Sequence, residues 1–240
     1  MRLLLRALLA TTLVALTLAA PSGAILDGEP DTQHPYVGIL VTEIGGDIVP
    51  VCSGFLVSPT VFVTAGHCVE DLGSHPALVS FDQALTPDSD LLPGDAVPNP
   101  NFGSSGSFSH DVALVLLDEP VTNRGFAQLP GLNRLATVPR SSTLTVVGYG
   151  ADARHGNTLQ FDLERTFGEA RLVKTEKKFA HLRMSTGICF GDSGGPVLLG
   201  DSDLAVAVNS FVSNRQCAGN SYAYRLDTAE ARSFLTPYLG

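Results

Sequence analysis

One serine sits among glycines in the run Gly191, Asp192, Ser193, Gly194, Gly195, Pro196, and glycines let a substrate and the local backbone approach closely. A serine hydroxyl becomes a useful nucleophile only when a base takes its proton, so the fold must bring a histidine to it. Six are available, His34, His67, His75, His110, His155 and His181, and all precede Ser193. That order excludes the nucleophile elbow of the α/β-hydrolases, which a Gly-x-Ser-x-Gly run also matches, because there the histidine follows the serine. His67 ends a strand-like run and adjoins Cys68, a possible disulfide tether. Asp111 opens a second apolar run and offers a carboxylate that could orient an imidazole. His110 is the rival base, but neighbours in an extended strand face opposite ways. Taken singly, a histidine or aspartate at a strand end is usually structural, and a glycine-rich run is often a turn.

These side chains must be carried by short β elements. Runs rich in β-branched residues occupy 36–41, 48–57, 61–64, 112–117, 144–149, 196–199 and 204–212, with turn residues between them. Helical periodicity is confined to the end, where Asp227 and Glu230 make a capping-box-like start to Ala229, Ala231, Phe234 and Leu235, so a single C-terminal helix is expected. Residues 118–134, with Pro120, Gly125, Pro130 and Gly131, read as a connector between two β units.

Composition agrees. With 240 residues, 44% hydrophobic and 16% charged, the chain can bury a large core and is not disordered. Its 24 glycines and 15 prolines follow no short period, which argues against collagen, coiled coil and helical bundle. A net charge of −9 repels phosphate backbones, so nucleic acid is excluded as a partner. Residues 1–24 combine Arg2 and Arg6, a Leu/Ala-rich run and a small-x-small end at Ser22 and Ala24, as a secretory signal peptide does. The run is short for a membrane anchor, and nothing later is long enough to span a bilayer. Removing it leaves a net charge of −11, since its only charged residues are the two arginines. In an oxidising compartment Cys52, Cys68, Cys189 and Cys217 favour two disulfides, although spacing leaves three pairings open. Zinc is disfavoured because short ligand pairs such as Cys-x-x-Cys are missing. The cluster of Lys174, Lys177 and Lys178 reads as a solvated face, and Asp82, Asp88, Asp90 and Asp95 lack the spacing of a calcium loop. No metal or other cofactor is expected.

Three segments, CSGFLVSPTVFVTAGHC (52–68), DVALVLL (111–117) and CFGDSGGPV (189–197), in this order, resemble the chymotrypsin/trypsin family of serine endopeptidases. The resemblance extends to Ile25, Leu26, Asp27, Gly28, similar to the family's processed N-terminus, and to Gly148, Tyr149, Gly150. It implies an all-β fold of two six-stranded antiparallel β-barrels with a C-terminal α-helix. The expected division is a signal peptide over 1–24, a first barrel over 25–122, and a second barrel with the terminal helix over 123–240. It implies disulfides Cys52–Cys68 and Cys189–Cys217. By resemblance His67, Asp111 and Ser193 are catalytic, the backbone N–H groups of Gly191 and Ser193 form the oxyanion hole, and Ser210 supports Asp111. Ile25 and Asp192 form the activation pair, the freed α-ammonium meeting a buried carboxylate. Here signal cleavage itself would expose Ile25.

Gly187, Ser210, Phe211 and Val212 are the expected substrate-binding residues. Gly187 falls at the pocket floor where trypsin-like members carry an acid, so Lys or Arg selectivity is disfavoured. Val212 narrows the mouth and Tyr222 the base, which together imply small aliphatic residues such as Ala or Val at the cleaved bond. Phe211 and Tyr149 stand where the family usually has Trp, and a bridge common in relatives is missing between Tyr149 and Cys189, so looser or differently folded loops are expected there. The implied protein is a secreted, monomeric serine endopeptidase. Its partners are protein or peptide substrates and protein inhibitors, with no membrane association after signal removal. The alternative is a catalytically inert protease-like binding protein, which serine-directed organophosphonate labelling would distinguish.

Overall fold

The computed structural model describes residues 25–26, 28–156, 158–184 and 187–239; the expected signal peptide lies outside them. The first half holds β1 (Glu29–Pro30), β2 (Val37–Ile44), β3 (Asp47–Ser58), β4 (Val61–Thr64), α1 (Gly66–Leu72), β5 (Ala77–Ser80), β6 (Leu92–Val97) and β7 (Ala113–Leu117). After a long connector come β8 (Thr143–Gly148), β9 (Ala153–His155), β10 (Thr158–Gln160), β11 (Thr166–Thr175) and β12 (Phe179–Met184). The chain then runs through β13 (Pro196–Leu199), β14 (Ala205–Val212), β15 (Asn220–Arg225) and α2 (Ala229–Leu235).

Two antiparallel barrels result. In the first, β2-β3-β4-β7-β6-β5 closes through the pairing of Ile39 with Ser80. In the second, β8-β11-β12-β15-β14-β13 closes where β13 meets β8, Val197 opposite Val146. The expected six-stranded pair is therefore present. Alternating side chains fill each interior: Leu40, Phe55, Phe62 and Leu114 in one, Leu144, Leu182, Val206 and Ala223 in the other, all fully buried. β1 crosses to the second barrel and pairs with β11.

Buried polar bonds tie the barrels together. The Arg165 guanidinium donates to the carbonyls of Val37 and Phe81 from Nη1 (3.2 Å each), to the Tyr149 hydroxyl from Nη1 (3.0 Å) and to the Gln83 side chain from Nη2 (2.9 Å). Tyr149 sends its hydroxyl to the Asp82 carbonyl (2.6 Å), and burial pushes its phenol up to about 12.

Two sequence expectations need correction. The C-terminal helix is not the only one: α1 carries His67 on seven residues and, unlike α2, has no side-chain cap at its N-cap Ala65 and no acidic residue in its first turn to mark its start. The N-cap of α2 is Thr228, whose hydroxyl accepts from the Ala231 N–H. Asp227 instead pairs with Arg225 and accepts the Leu135 N–H (2.7 Å). In the region lacking a bridge, β9 and β10 form a separate two-stranded hairpin.

Candidate active site

The three chemically suggestive residues come from different elements and meet between the barrels. His67 lies on α1, directly after β4, and the Cys52–Cys68 disulfide pins that helix to β3. Asp111 is completely buried just before β7. Its Oδ1 accepts the His67 backbone N–H (2.9 Å), and both carboxylate oxygens lie 3.0 Å from His67 Nδ1. One carboxylate thus fixes the position of the imidazole and the tautomer that carries its proton on Nδ1. The Ser210 hydroxyl donates to Asp111 Oδ2 and supplies a further polar partner inside the protein. Phe108 closes the other side of the imidazole with an edge contact at 5.5 Å, a neighbour the sequence motifs did not single out.

His110 is no competitor for Asp111's role partner. It sits in a left-handed turn at φ 57° rather than in a strand, and its Nε2 lies 3.5 Å from Glu230 on the terminal helix.

Ser193 belongs to a tight loop between the Cys189–Cys217 disulfide and β13. Gly191 has φ 94°, and a Cβ there would lie 2.6 Å from the Gly150 Cα; Gly194 has φ 84°, and a Cβ there would lie 2.2 Å from the Ser53 carbonyl oxygen. Glycine is demanded at both by backbone angle and by space. Ser53 of β3, completely buried, clamps this loop across the barrel interface. Its N–H donates to the Ser193 carbonyl (2.8 Å), and its hydroxyl donates to the Gly191 carbonyl (2.8 Å) while accepting the Tyr149 N–H (2.9 Å). Holding the Gly191 carbonyl fixes the peptide after Gly191, and the peptide that carries the Gly191 N–H is held through the Phe190 carbonyl, which accepts the Ala151 N–H (2.9 Å). Among the described residues the N–H groups of Gly191 and Ser193 have no acceptor.

His67 and Ser193 line one cavity of about 580 Å³, together with Phe108, Asn209, Phe211 and Val212. The structure forms no hydrogen bond between the Ser193 hydroxyl and the imidazole; such contacts are often long in unliganded enzymes and tighten with substrate. Cys52, His67 and Cys68 bring potential metal ligands within 4.8 Å of one another, but the two sulfurs are bonded to each other and offer no thiolate.

Two expected pocket residues lie elsewhere. Gly187 backs onto Cys217 and Leu26, and the cavity is lined from Ile188 onward. Tyr222 does not line the cavity. It stacks between Phe211 (4.7 Å) and His181 (4.8 Å) because those three are cross-strand neighbours on the other face of the sheet. The residue opposite Val212 is Ser221.

The Ile25 and Asp192 pair is not joined in the uncut chain. The Ile25 N–H donates to Thr166 Oγ1 (2.7 Å), while the Asp192 carboxylate accepts the N–H groups of Gly150 and Cys189 (2.9 Å each). Asp192 is fully buried, and loss of hydration pushes its carboxyl up to about 8, against the pull of those two donors.

Comparison with known proteins agrees with this architecture. The family model described as Trypsin matches residues 26–232. A collagenase of Hypoderma lineatum is 26% identical over 218 residues, covering 81% of this chain and 79% of the relative. Granzyme E of Mus musculus is 27% identical over 234 residues, covering 84% and 90%. Among solved structures, HL collagenase superposes with a TM-score of 0.71 at 20% identity over 89% of this chain and 98% of that one. Human heparin binding protein gives 0.70 at 21% identity over 90% and 96%. The chain belongs to the trypsin family.

Proposed function

We propose that this protein is a secreted serine endopeptidase in which His67, Asp111 and Ser193 carry the chemistry. Ser193 Oγ attacks the substrate carbonyl carbon as His67 Nε2 takes its proton, and the resulting oxyanion accepts from the N–H groups of Gly191 and Ser193. The imidazolium then protonates the leaving amine, the C–N bond breaks, and an acyl-enzyme ester remains. Water repeats the sequence with His67 again as base, releasing the acid and restoring Ser193. Asp111 keeps the imidazole oriented and stabilises its cationic form without taking the proton.

The observation carrying this reading is the convergence on one cavity of the Asp111-anchored imidazole and the serine of a loop whose adjacent N–H groups lack acceptors. The complete set of three side chains argues against the inert alternative. Removal of residues 1–24 would free the Ile25 amine. Its ammonium would give Asp192 a counter-charge and make the ionised carboxylate tolerable in the loop that holds Ser193. Val212 limits the width of the cavity beside Ser193 and supports a small or medium side chain at the cleaved bond.

Organophosphonate labelling of protein beginning at Ile25 tests the reading. Modification of Ser193 is expected in the wild type and is lost in Ser193→Ala; folded protein that takes no label refutes it. N-terminal sequencing of the exported protein is expected to give Ile25, and a start at Pro21 would refute processing by signal cleavage alone.

A further inference from the structure

One cavity wall carries a polar group that the proposed chemistry leaves idle. Asn209, one residue before Ser210 on β14, is 1% exposed, and neither its Oδ1 nor its Nδ2 has a hydrogen-bond partner. Its main chain is fully used, accepting the Gly194 N–H (2.8 Å) and donating to the Gly195 carbonyl (2.9 Å), so the side chain is fixed beside the nucleophile loop. Ser221 on β15 is 4% exposed, and its hydroxyl also lacks a partner. Register places the two together on one face. Asn209 lies opposite Ala223 and Val212 opposite Ser221, with a bulge at the intervening Ser210, while Phe211 and Tyr222 face the other way.

We propose that Asn209 makes this protease select a carboxamide side chain, asparagine or glutamine, on the acyl side of the cleaved bond. The inference rests on the serine endopeptidase reading above and names its substrate class. A carboxamide presents one acceptor and donors in a plane, and can give Nδ2 an acceptor and Oδ1 a donor at once. A hydrocarbon side chain leaves both atoms unpaired as they are in the empty cavity, whereas a carboxamide that reaches them gains two hydrogen bonds, a difference on the order of ten- to a hundredfold. A carboxylate has no proton for Oδ1, and a cation has nothing for Nδ2. The charged side chains of Asp71 and Arg215 line the cavity only as exposed residues, so a buried substrate charge would lack a close partner. The expectation of Ala or Val rests on the sizes of Gly187, Val212 and Tyr222 alone and takes no account of the Asn209 amide.

The test compares peptides that differ only at that residue: Gln against Met and Asn against Leu, pairs of similar shape, with Ala, Val and Glu alongside. For wild type, at least one carboxamide is expected to exceed its apolar counterpart in kcat/KM by about ten- to a hundredfold. Asn209→Leu is expected to reverse that preference. Labelling with an organophosphonate that lacks a side chain at the equivalent position reports separately whether Ser193 is assembled in each protein. Labelled wild type that prefers Ala, Val or Glu, or labelled Asn209→Leu that keeps the wild-type preference, overturns the inference and leaves the endopeptidase reading intact. Folded wild type that neither labels nor cleaves overturns both.

Discussion

Replacing Ser53 by alanine separates the scaffold of the oxyanion loop from its chemistry. The hydroxyl is completely buried, accepts the Tyr149 N–H at 2.9 Å and donates to the Gly191 carbonyl at 2.8 Å. Tyr149 is 1% exposed, so its N–H would be stranded at about 1–3 kcal/mol. Gly191 borders the cavity and can recruit water for its carbonyl, so that loss is nearer the net worth of a hydrogen bond, about 1 kcal/mol. Together these predict a stability loss of roughly 2–4 kcal/mol, read as a shift of the urea midpoint. Catalysis should suffer separately, because Ser53 fixes the peptide that follows Gly191 and thereby restrains, through the Gly191 Cα, the preceding peptide that carries the Gly191 N–H. Loss of a whole oxyanion donor costs about 10²–10³ in kcat, and a donor that is loosened rather than removed should cost less, roughly 10- to 100-fold. KM should change little, since the ground-state carbonyl makes weaker use of that donor. The assays are kcat and KM on the best peptide of the panel and the second-order rate of organophosphonate labelling. A Ser53→Ala protein that is destabilised but labels and turns over at the wild-type rate would show that Gly191 is held without Ser53 and would refute the argument.

Further outcomes are expected. Asp111→Asn should retain the fold but lower kcat by about 10³–10⁴, measured at saturating substrate, because an amide no longer enforces the productive tautomer. Removing the 16-residue Cys52–Cys68 clip by a double Cys→Ala change should cost about 3 kcal/mol in denaturant titration and reduce activity, since that bridge anchors the helix bearing His67. Arg165→Met should lose roughly 3–5 kcal/mol, because several buried oxygens and the Asp31 carboxylate at 3.4 Å lose their partner together. In the uncut chain, Asp192 has a carboxyl raised to about 8 when folded against an ordinary value of 3.8 when unfolded. It therefore contributes nothing adverse below about pH 4. Stability declines as pH rises from there to about 8, by several kcal/mol in all, because only the unfolded chain ionises freely. Chemical unfolding across that range should show the decline in protein retaining residues before Ile25 and a weaker one in protein beginning at Ile25, where the ammonium offers a counter-charge.

Much of the scaffold was legible because its strands are short, β-branched and bounded by turns; 61–64 and 196–199 coincide with β4 and β13. β6 escaped because LPGDAV contains proline, glycine and aspartate and is a strand only by virtue of its partners β5 and β7. β11 and β12 escaped for a related reason, their exposed Arg171 and Arg183 interrupting the apolar signal. At the site, His67, Asp111 and Ser193 are visible as residue types in motifs, but the helix beneath His67 is not, because its N-cap is Ala65 and it lacks the capping signal that marks α2. Tyr222 was misplaced because strand register decides which face a residue occupies, and a single bulge on the neighbouring strand shifts it. Asn209 was overlooked for want of a local signal: an asparagine in an apolar run becomes notable only when its neighbours are known to leave its amide unpaired.

On the proposed function, the bulge at Ser210 would link catalysis to selection. In an unbroken strand, residues 209 and 211 would share one face and 210 and 212 the other. The pairings instead place 209 and 212 on one face of the strand and 211 on the other, with Ser210 as the extra, unpaired residue, and Phe211 reaches the cavity from its own side beside Phe108. That offset lets Ser210 reach Asp111 while Asn209 and Val212 both line the cavity, and it turns Phe211 into the stack with Phe108 and Tyr222. Four consecutive residues thereby meet the carboxylate behind the imidazole, two parts of the substrate wall and an aromatic shelf beside His67. A deletion that irons out the bulge would move all of these at once. Loss of labelling and loss of substrate preference should therefore appear together in such a variant, whereas Asn209→Leu should separate them.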